Sequence, residues 1–305
     1  MSYVTVENPG NAADPATGSL YGSVSYTYNI GECDVTDTQY CTFLNAVDPT
    51  GGNTLGLYDS SATDAEYGVT LNSAASNGSK YSVISGYANM PVVDVTFWDT
   101  LRFANYLDDG NTETGAYTLL GGAPTPSNAS TVTRNLGATV WLPSENEWYK
   151  AAYYNPVNAT YSTYATQSNT VLGNVISSGP NEANYYTLNG YSVTQSSSYD
   201  LSQNYLTAAE TFSGSVSYCG TYDQSGDAWN WTDTSTGSSL VLRGGSWWNY
   251  SNAMTSSVSI NDDSSFENNS VGFRVASEAV PEPSTWAMMT VGVASLLAFR
   301  RRRHS

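Results

Sequence analysis

Apolar residues in the first half of the chain fall at helical spacing in three places, and each run opens on a capping box. Thr36-x-x-Gln39 precedes Tyr40, Phe43, Leu44 and Val47. A threonine that accepts from the N3 amide, with the N3 side chain reaching back, predicts a helix start at that point. Thr96-x-x-Asp99 opens a second helix, with Phe97, Leu101, Ala104 and Leu107 near one face and Gly110 as its stop. Ser144-x-x-Glu147, just after Pro143, opens a third that carries Trp148, Ala151 and Ala152. Alternating runs at 22–28 (Gly-Ser-Val-Ser-Tyr-Thr-Tyr) and 138–142 (Ala-Thr-Val-Trp-Leu) predict strands. Between these elements lie long Gly/Ser/Asn/Thr stretches, notably 48–88 and 156–220. No helix is predicted between Tyr154 and the C-terminal tail. Loops that long need something to hold them, and bound cations are one means.

The tail has a pattern of its own. Val280-Pro-Glu-Pro-Ser-Thr is a helix-breaking polar boundary, Trp286 to Phe299 is an uncharged run, and Arg300, Arg301, Arg302 and Arg303 close it. A run of that length is short for a spanning helix. The arginines directly behind it predict a C-terminus held in the cytoplasm and a body outside. The order of Pro281-Glu282-Pro283, apolar helix and arginine cluster resembles the PEP-CTERM sorting signal of Gram-negative bacteria. That resemblance implies an exosortase-type processing enzyme as partner and a membrane anchor through the C-terminal helix. It also implies an exported protein, anchored in the inner membrane before processing and then placed at the cell surface or in the extracellular matrix. The first ten residues carry neither a basic n-region nor an apolar h-region, so the expectation is a start further upstream or a truncated gene.

Composition narrows the chemistry. The chain has 305 residues with 24 Tyr and 8 Trp, enough for a sizeable globular core. With the tail from Val280 set aside, six basic and 26 acidic residues remain, a net charge near −20. Such a body repels nucleic acid and anionic membrane surfaces, and leaves Ca²⁺, polycations and neutral glycans as partners. His304, in the tail, is the one histidine of the chain. Its position excludes an imidazole base, a Ser-His-Asp triad and a histidine-bound zinc in the body. Cys33, Cys41 and Cys219 show no CxxC spacing and read as one disulfide with a free thiol, or as three buried apolar cysteines.

Six short motifs in register carry a second resemblance. They are Asp34-Val-Thr-Asp-Thr-Gln-Tyr, Pro91-Val-Val-Asp-Val-Thr-Phe-Trp-Asp with Arg102-Phe-Ala-Asn, and Trp141-Leu-Pro-Ser-Glu-Asn-Glu-Trp, followed by Gly226-Asp-Ala-Trp-Asn-Trp, Leu242-Arg-Gly-Gly-Ser-Trp and Gly272-Phe-Arg-Val-Ala. Together, over most of residues 20–277, they resemble the formylglycine-generating enzyme (sulfatase-modifying factor) family. The resemblance implies an α+β, C-type-lectin-like domain with long irregular loops over residues 1–279, and a sorting and anchor segment over 280–305. Arg102, Lys150, Arg243 and Arg274 sit in or beside the motifs, where pairing with carboxylates such as Glu145 and Glu147 is expected. Trp229, Trp231, Trp247 and Trp248 are expected in the core, with their indole N–H groups on backbone carbonyls.

For chemistry, the resemblance implies a pocket without its redox centre. The family's oxygen-dependent members use two cysteines after the Gly-Gly-Ser motif, and the matching positions hold Asn249 and Met254. Neither forms a thiolate, so copper is not expected. Trp229 and Ser246 keep the family's residues beside the oxygen pocket. No catalytic residue is therefore assigned. The favoured reading is a non-catalytic, calcium-stabilised module that binds a ligand such as an extracellular glycan or exopolysaccharide, and the alternative is a formylglycine-generating oxidoreductase acting on sulfatase cysteines. For calcium, the resemblance implies one site from the Asp223 and Asn230 side chains with the Gly226 and Ala228 carbonyls. A second would use the Asn184 and Glu210 side chains with the Tyr185 and Phe212 carbonyls, Glu210 standing where an aspartate is usual.

Overall fold

The three capping boxes form as the sequence predicts. In the computed structural model, which describes residues 1–279, helix α1 spans Asp37–Val47, α2 spans Phe97–Asp109 and α3 spans Glu145–Tyr153. In each, the N-cap oxygen accepts from the N3 amide and the N3 side chain accepts from the N-cap amide. Each such cap contributes about 1 kcal/mol to its helix. α2 ends on Gly110 in the left-handed conformation, φ 83°. Among the described residues no α-helix follows Tyr153, and a single 3₁₀ turn, Ser251–Met254, interrupts the loops beyond it. No described helix is long and apolar enough to cross a membrane. The apolar run Trp286–Phe299 and the arginines behind it lie outside the described residues.

Fourteen short strands are found among the described residues. They are β1 Tyr3–Val6, β2 Tyr28–Gly31, β3 Val69–Leu71, β4 Tyr81–Val83, β5 Val140–Trp141, β6 Tyr154–Asn155 and β7 Thr160–Tyr161, then β8 Tyr186–Thr187, β9 Gly190–Tyr191, β10 Trp229–Thr236, β11 Ser239–Arg243, β12 Ile260–Asp262, β13 Val271–Gly272 and β14 Ala276–Glu278. One sheet has the order β1-β2-β14-β5, antiparallel throughout, so both ends of the described chain share a sheet. The other has the order β12-β11-β10-β13, with β13 parallel to β10. Three two-stranded hairpins lie in the loops. The result is the mixed α+β architecture that the sequence implies.

The expected strand at 22–28 forms only at its end. Gly22 has φ 93°, and a Cβ there would come within 2.7 Å of the Tyr161 ring. Asn11 then occupies the backbone groups a partner strand would need, since its Nδ2 donates to Gly22 O and its Oδ1 accepts from Val24 N. The expected strand at 138–142 shortens to Val140–Trp141, because Asp108 Oδ1 accepts from the amides of Thr139 and Val140.

The main core joins α1 and α2 to both sheets through an aromatic mesh. Phe43 meets Phe103 edge-on with ring centroids 5.3 Å apart, and Phe103 meets Phe273 in the same way at 5.3 Å. Edge-to-face pairs of this kind add about 0.5–1.5 kcal/mol each beyond area burial. All three cysteines are free, Cys41 buried and Cys33 and Cys219 half-buried.

Candidate functional site

The Gly-Gly-Ser motif leaves β11 and turns back beneath the start of β10. Trp229, at the head of β10, donates its indole N–H to Asn249 Oδ1 at 2.8 Å. Ser246 donates to the same oxygen twice, from its amide at 3.1 Å and its hydroxyl at 2.8 Å. Asn249 Oδ1 therefore collects three donors and ties Trp229 and Ser246 together as a polar knot. Met254 has the opposite environment. It is fully buried in a cluster with Tyr164, Leu172, Ala183 and Tyr185. Gly245, φ 76°, leaves room for it, since a Cβ there would stand 2.8 Å from Met254 Cγ. Of the two positions expected to match the family's cysteines, one is spent on hydrogen bonds and the other is sealed as core. Neither is a ready copper(I) ligand.

The cysteines present do not replace that pair. Burial raises the Cys219 thiol to about 11, with the Lys150 charge opposing. Cys33 is pushed up well beyond that, chiefly by burial and then by Asp223, so both remain protonated near neutrality. Cys33 lines a cavity of ≈ 340 Å³ with Glu32, Asp34, Asn89 and Glu210.

The residues named for calcium come together in a different grouping from the one expected. Asn230 is enclosed. Its Oδ1 accepts from Trp148 Nε1 and Arg274 Nε, both at 2.9 Å, and its Nδ2 donates to Asp34 Oδ2 and Ala228 O. Arg274 closes this network on Asp34 at 2.5 Å. Asn230 and the Ala228 carbonyl thus face each other and the arginine, while Asp223 faces elsewhere: its Oδ2 accepts from Glu210 N at 3.1 Å. Burial raises the Asp223 carboxyl to about 7, with the Glu210 amide opposing and the Asp34 charge adding. Asn184 is bridged in parallel to Gly226 and donates to Tyr205 O and Asp227 Oδ1. Gly226 must be glycine here, because a Cβ would lie 2.2 Å from Asn184 O at φ 84°. Of the eight residues expected to hold calcium, Asp223 from one expected site and Phe212 from the other line a cavity of ≈ 10 Å³ with Thr166, Glu182, Ser215 and Ser225. That is room for about one water or ion. Tyr185 adjoins it through Ala183 and keeps its own amide on Ser192 Oγ. Glu210 points its side chain toward Cys33 instead. Among the described residues no three Asp, Glu, Cys or His groups converge at metal-binding spacing, so an ion here would draw on the Asp223 and Glu182 carboxylates together with hydroxyl and main-chain oxygens.

Asp227 is the group that sequence reasoning missed. Its Oδ1 accepts from Asn184 Nδ2 at 2.7 Å and Thr207 N at 3.0 Å, which fastens the 184 and 207 loops to β10. Burial and then the Asp223 charge hold its carboxyl well above the usual range. The basic residues behave as expected with two exceptions. Arg243 pairs with Glu145 at 2.5 Å and Arg102 with Glu113 at 2.8 Å. Glu147, however, takes Arg134, and Lys150 donates to the Asn8 carbonyl. The tryptophans divide as well. Trp231 and Trp247 donate to the carbonyls of Val95 and Asn269, but Trp229 uses the Asn249 amide and Trp248 is 49% exposed.

Known proteins can be set beside this geometry. The family model of the sulfatase-modifying factor enzyme 1-like domain matches residues 22–279, and that of the PEP-CTERM protein-sorting motif matches residues 279–303. No curated protein matches the chain. Among solved structures the fold is similar to that of CarF, with 18% identity and a TM-score of 0.60 over 92% of this chain and 99% of that one. Treponema denticola variable protein 1 shows 18% identity and a TM-score of 0.51 over 92% and 95% of the two chains. Likeness at this identity speaks for the fold alone. The sorting motif implies export, a membrane-anchored precursor and processing by an exosortase. The chain belongs to the sulfatase-modifying factor enzyme 1-like family and carries a PEP-CTERM sorting motif directly behind that domain.

Proposed function

We propose that the domain is a non-catalytic binding module, displayed at the bacterial surface or in the extracellular matrix after the sorting motif has been processed. The observation that carries this reading is the state of the two positions where the family's redox pair stands. Asn249 is consumed by Trp229 and Ser246, and Met254 is buried among tyrosines and leucine. Oxidising a peptide thiol with O₂ needs a metal or thiolate that passes electrons singly, and the remaining pocket groups supply only position and polarity. Calcium belongs to the same reading, as an ion that would hold the loops around Asp223 and Phe212.

The deciding experiment is mass spectrometry of a Cys-x-Pro-x-Arg sulfatase peptide incubated with the full-length chain, copper and a reductant. No formylglycine is expected. An aldehyde product from the unaltered chain would overturn the reading in favour of an oxidoreductase. The double substitution Asn249→Cys, Met254→Cys is expected to create copper(I) affinity without restoring full activity.

A further inference from the structure

Beside the Asn249 knot the chain builds a second concave place, from residues that none of the six motifs had marked as a site. Tyr199 reaches it from the long loop before β10, Trp247 and Trp248 from the turn after β11, and Asn268, Asn269 and Ser270 from the loop that leads into β13. Together they line a groove of ≈ 200 Å³. Trp247 forms the floor at 2% exposure, with Tyr199 stacked nearly parallel to it, 13° between planes and centroids 6.2 Å apart. Trp248 stands upright against both, at 88° to Trp247 and 85° to Tyr199. It is 49% exposed, and Tyr199 is 38% exposed. Two large aromatic rings left half in water on a well-packed floor are an unusual expense for a structural role.

The polar groups around these rings are held in place and keep part of their hydrogen-bonding capacity unused. Asn268 uses its Oδ1 on the amide and hydroxyl of Ser270, which leaves its Nδ2 to donate. Asn269 donates its Nδ2 to Glu66 Oε2 at 3.0 Å, which leaves its Oδ1 to accept. Its carbonyl is fixed by the Trp247 indole at 3.2 Å. Trp248 adds an indole N–H and Tyr199 a hydroxyl. The lining therefore offers aromatic faces with both donors and acceptors at their rim, and it contains no charged residue.

We infer that this groove binds one sugar ring of a neutral glycan, with the ring's apolar face on Trp248 and Tyr199 and its hydroxyls on the Asn268 and Asn269 amides. Charge selects among ligand classes. Five of the six basic residues of the body are buried, so an anionic chain meets an acidic surface with no cation near the groove to receive it. A cationic ligand would favour the rings too, but no carboxylate lines the groove: Glu66 is 1% exposed and accepts from Tyr205 N and Asn269 Nδ2, and Asp64 acts on Tyr199 from outside the lining. A volume below that of ordinary drug-sized pockets suits a single pyranose of a longer chain.

The inference rests on the binding-module reading and can fail without it. The test is titration of the full-length chain, in a non-glycosidic detergent, with cello-, malto-, laminari-, xylo-, manno- and chito-hexaose, read by tryptophan fluorescence and calorimetry. Polygalacturonate and spermine serve as the anionic and cationic comparisons. At least one neutral hexaose is expected to bind. Trp248→Ala is expected to raise its Kd by about tenfold, roughly 1.4 kcal/mol, and Tyr199→Phe by a smaller factor. Both side chains are partly exposed, so unchanged melting curves establish that the variants are folded. Binding that persists undiminished in Trp248→Ala overturns the groove and leaves the binding module standing. Binding of no neutral hexaose, or of spermine in their place, overturns the groove as well, and the peptide assay then decides the module by itself.

Discussion

Arg243 shows what a single buried charge does in this domain. Its guanidinium is fully buried, forks onto Glu145 Oε1 through Nε and Nη2, donates through Nη1 to the carbonyls of Ser256 and Val258, and lies over the Tyr21 ring at 4.5 Å. Four of its five N–H groups find acceptors and its face lies on an aromatic ring, which is the kind of environment in which a buried cation is tolerated. Glu145→Ala would leave the charge without its counter-ion, and a loss of about 3–5 kcal/mol is expected in urea unfolding. A loss below 1 kcal/mol would mean that the two carbonyls and the tyrosine suffice. The sequence made this partner visible because Glu145 opens a helix and Arg243 stands in a motif. The partner of Lys150 was not visible, because it is the backbone carbonyl of Asn8, and a carbonyl has no signature in the sequence. Glu147 was misjudged for a related reason. Its Oε2 accepts from Ser144 N as part of the capping box, and that fixes the carboxylate toward Arg134 and Trp141.

Helices and loops differ in how far they could be read. α1, α2 and α3 are set by contacts three residues apart, so Thr36, Thr96 and Ser144 announce them within a single turn. The strands depend on distant partners. β13 exists because Trp229 and Asn230 pair with Val271 and Gly272, and nothing in that two-residue segment says so. The polar knot at Asn249 was equally hidden, although the position itself was singled out. What it bonds to depends on where β10 lies. The loops from 156 to 220 are the elements on which calcium should act. If an ion occupies the cavity beside Asp223 and Phe212, it ties those loops to the turn before β10 and favours the folded state by linkage. The melting temperature is then expected to be higher in millimolar Ca²⁺ than in EDTA, and Asp223→Asn is expected to abolish the difference. Identical melting in both conditions would remove calcium from the proposed function.

At the scale of the whole molecule, the distribution of charge is lopsided in depth as well as in sign. Lys80, Arg102, Lys150, Arg243 and Arg274 are buried, and Arg134, with its side chain 26% exposed, lies over Trp141 and pairs with Glu147 and Asp233. Between Lys150 and Arg243 the sequence contains no basic residue at all, although its longest loops lie there. Proteases that cleave after lysine or arginine therefore find almost nothing to bind on the native body. Trypsin acting on the folded full-length chain is expected to leave the body as one large fragment. Rapid cutting at Lys80 or Lys150 would show that the burial of these side chains is not maintained in solution.

The position of β14 sets the timing of this domain. It lies between β2 and β5, and Asn29 and Glu278, 249 residues apart, are hydrogen-bonded across that join. The second strand must wait for nearly the whole body before its inner neighbour arrives, a costly order of assembly for any chain. The sorting motif begins at residue 279, one position after that strand ends. A chain delivered from its N-terminus thus receives its closing strand and its anchor almost together. The strand that completes the sheet is thus the one beside the sorted end, and the sheet closes only once that end has been delivered.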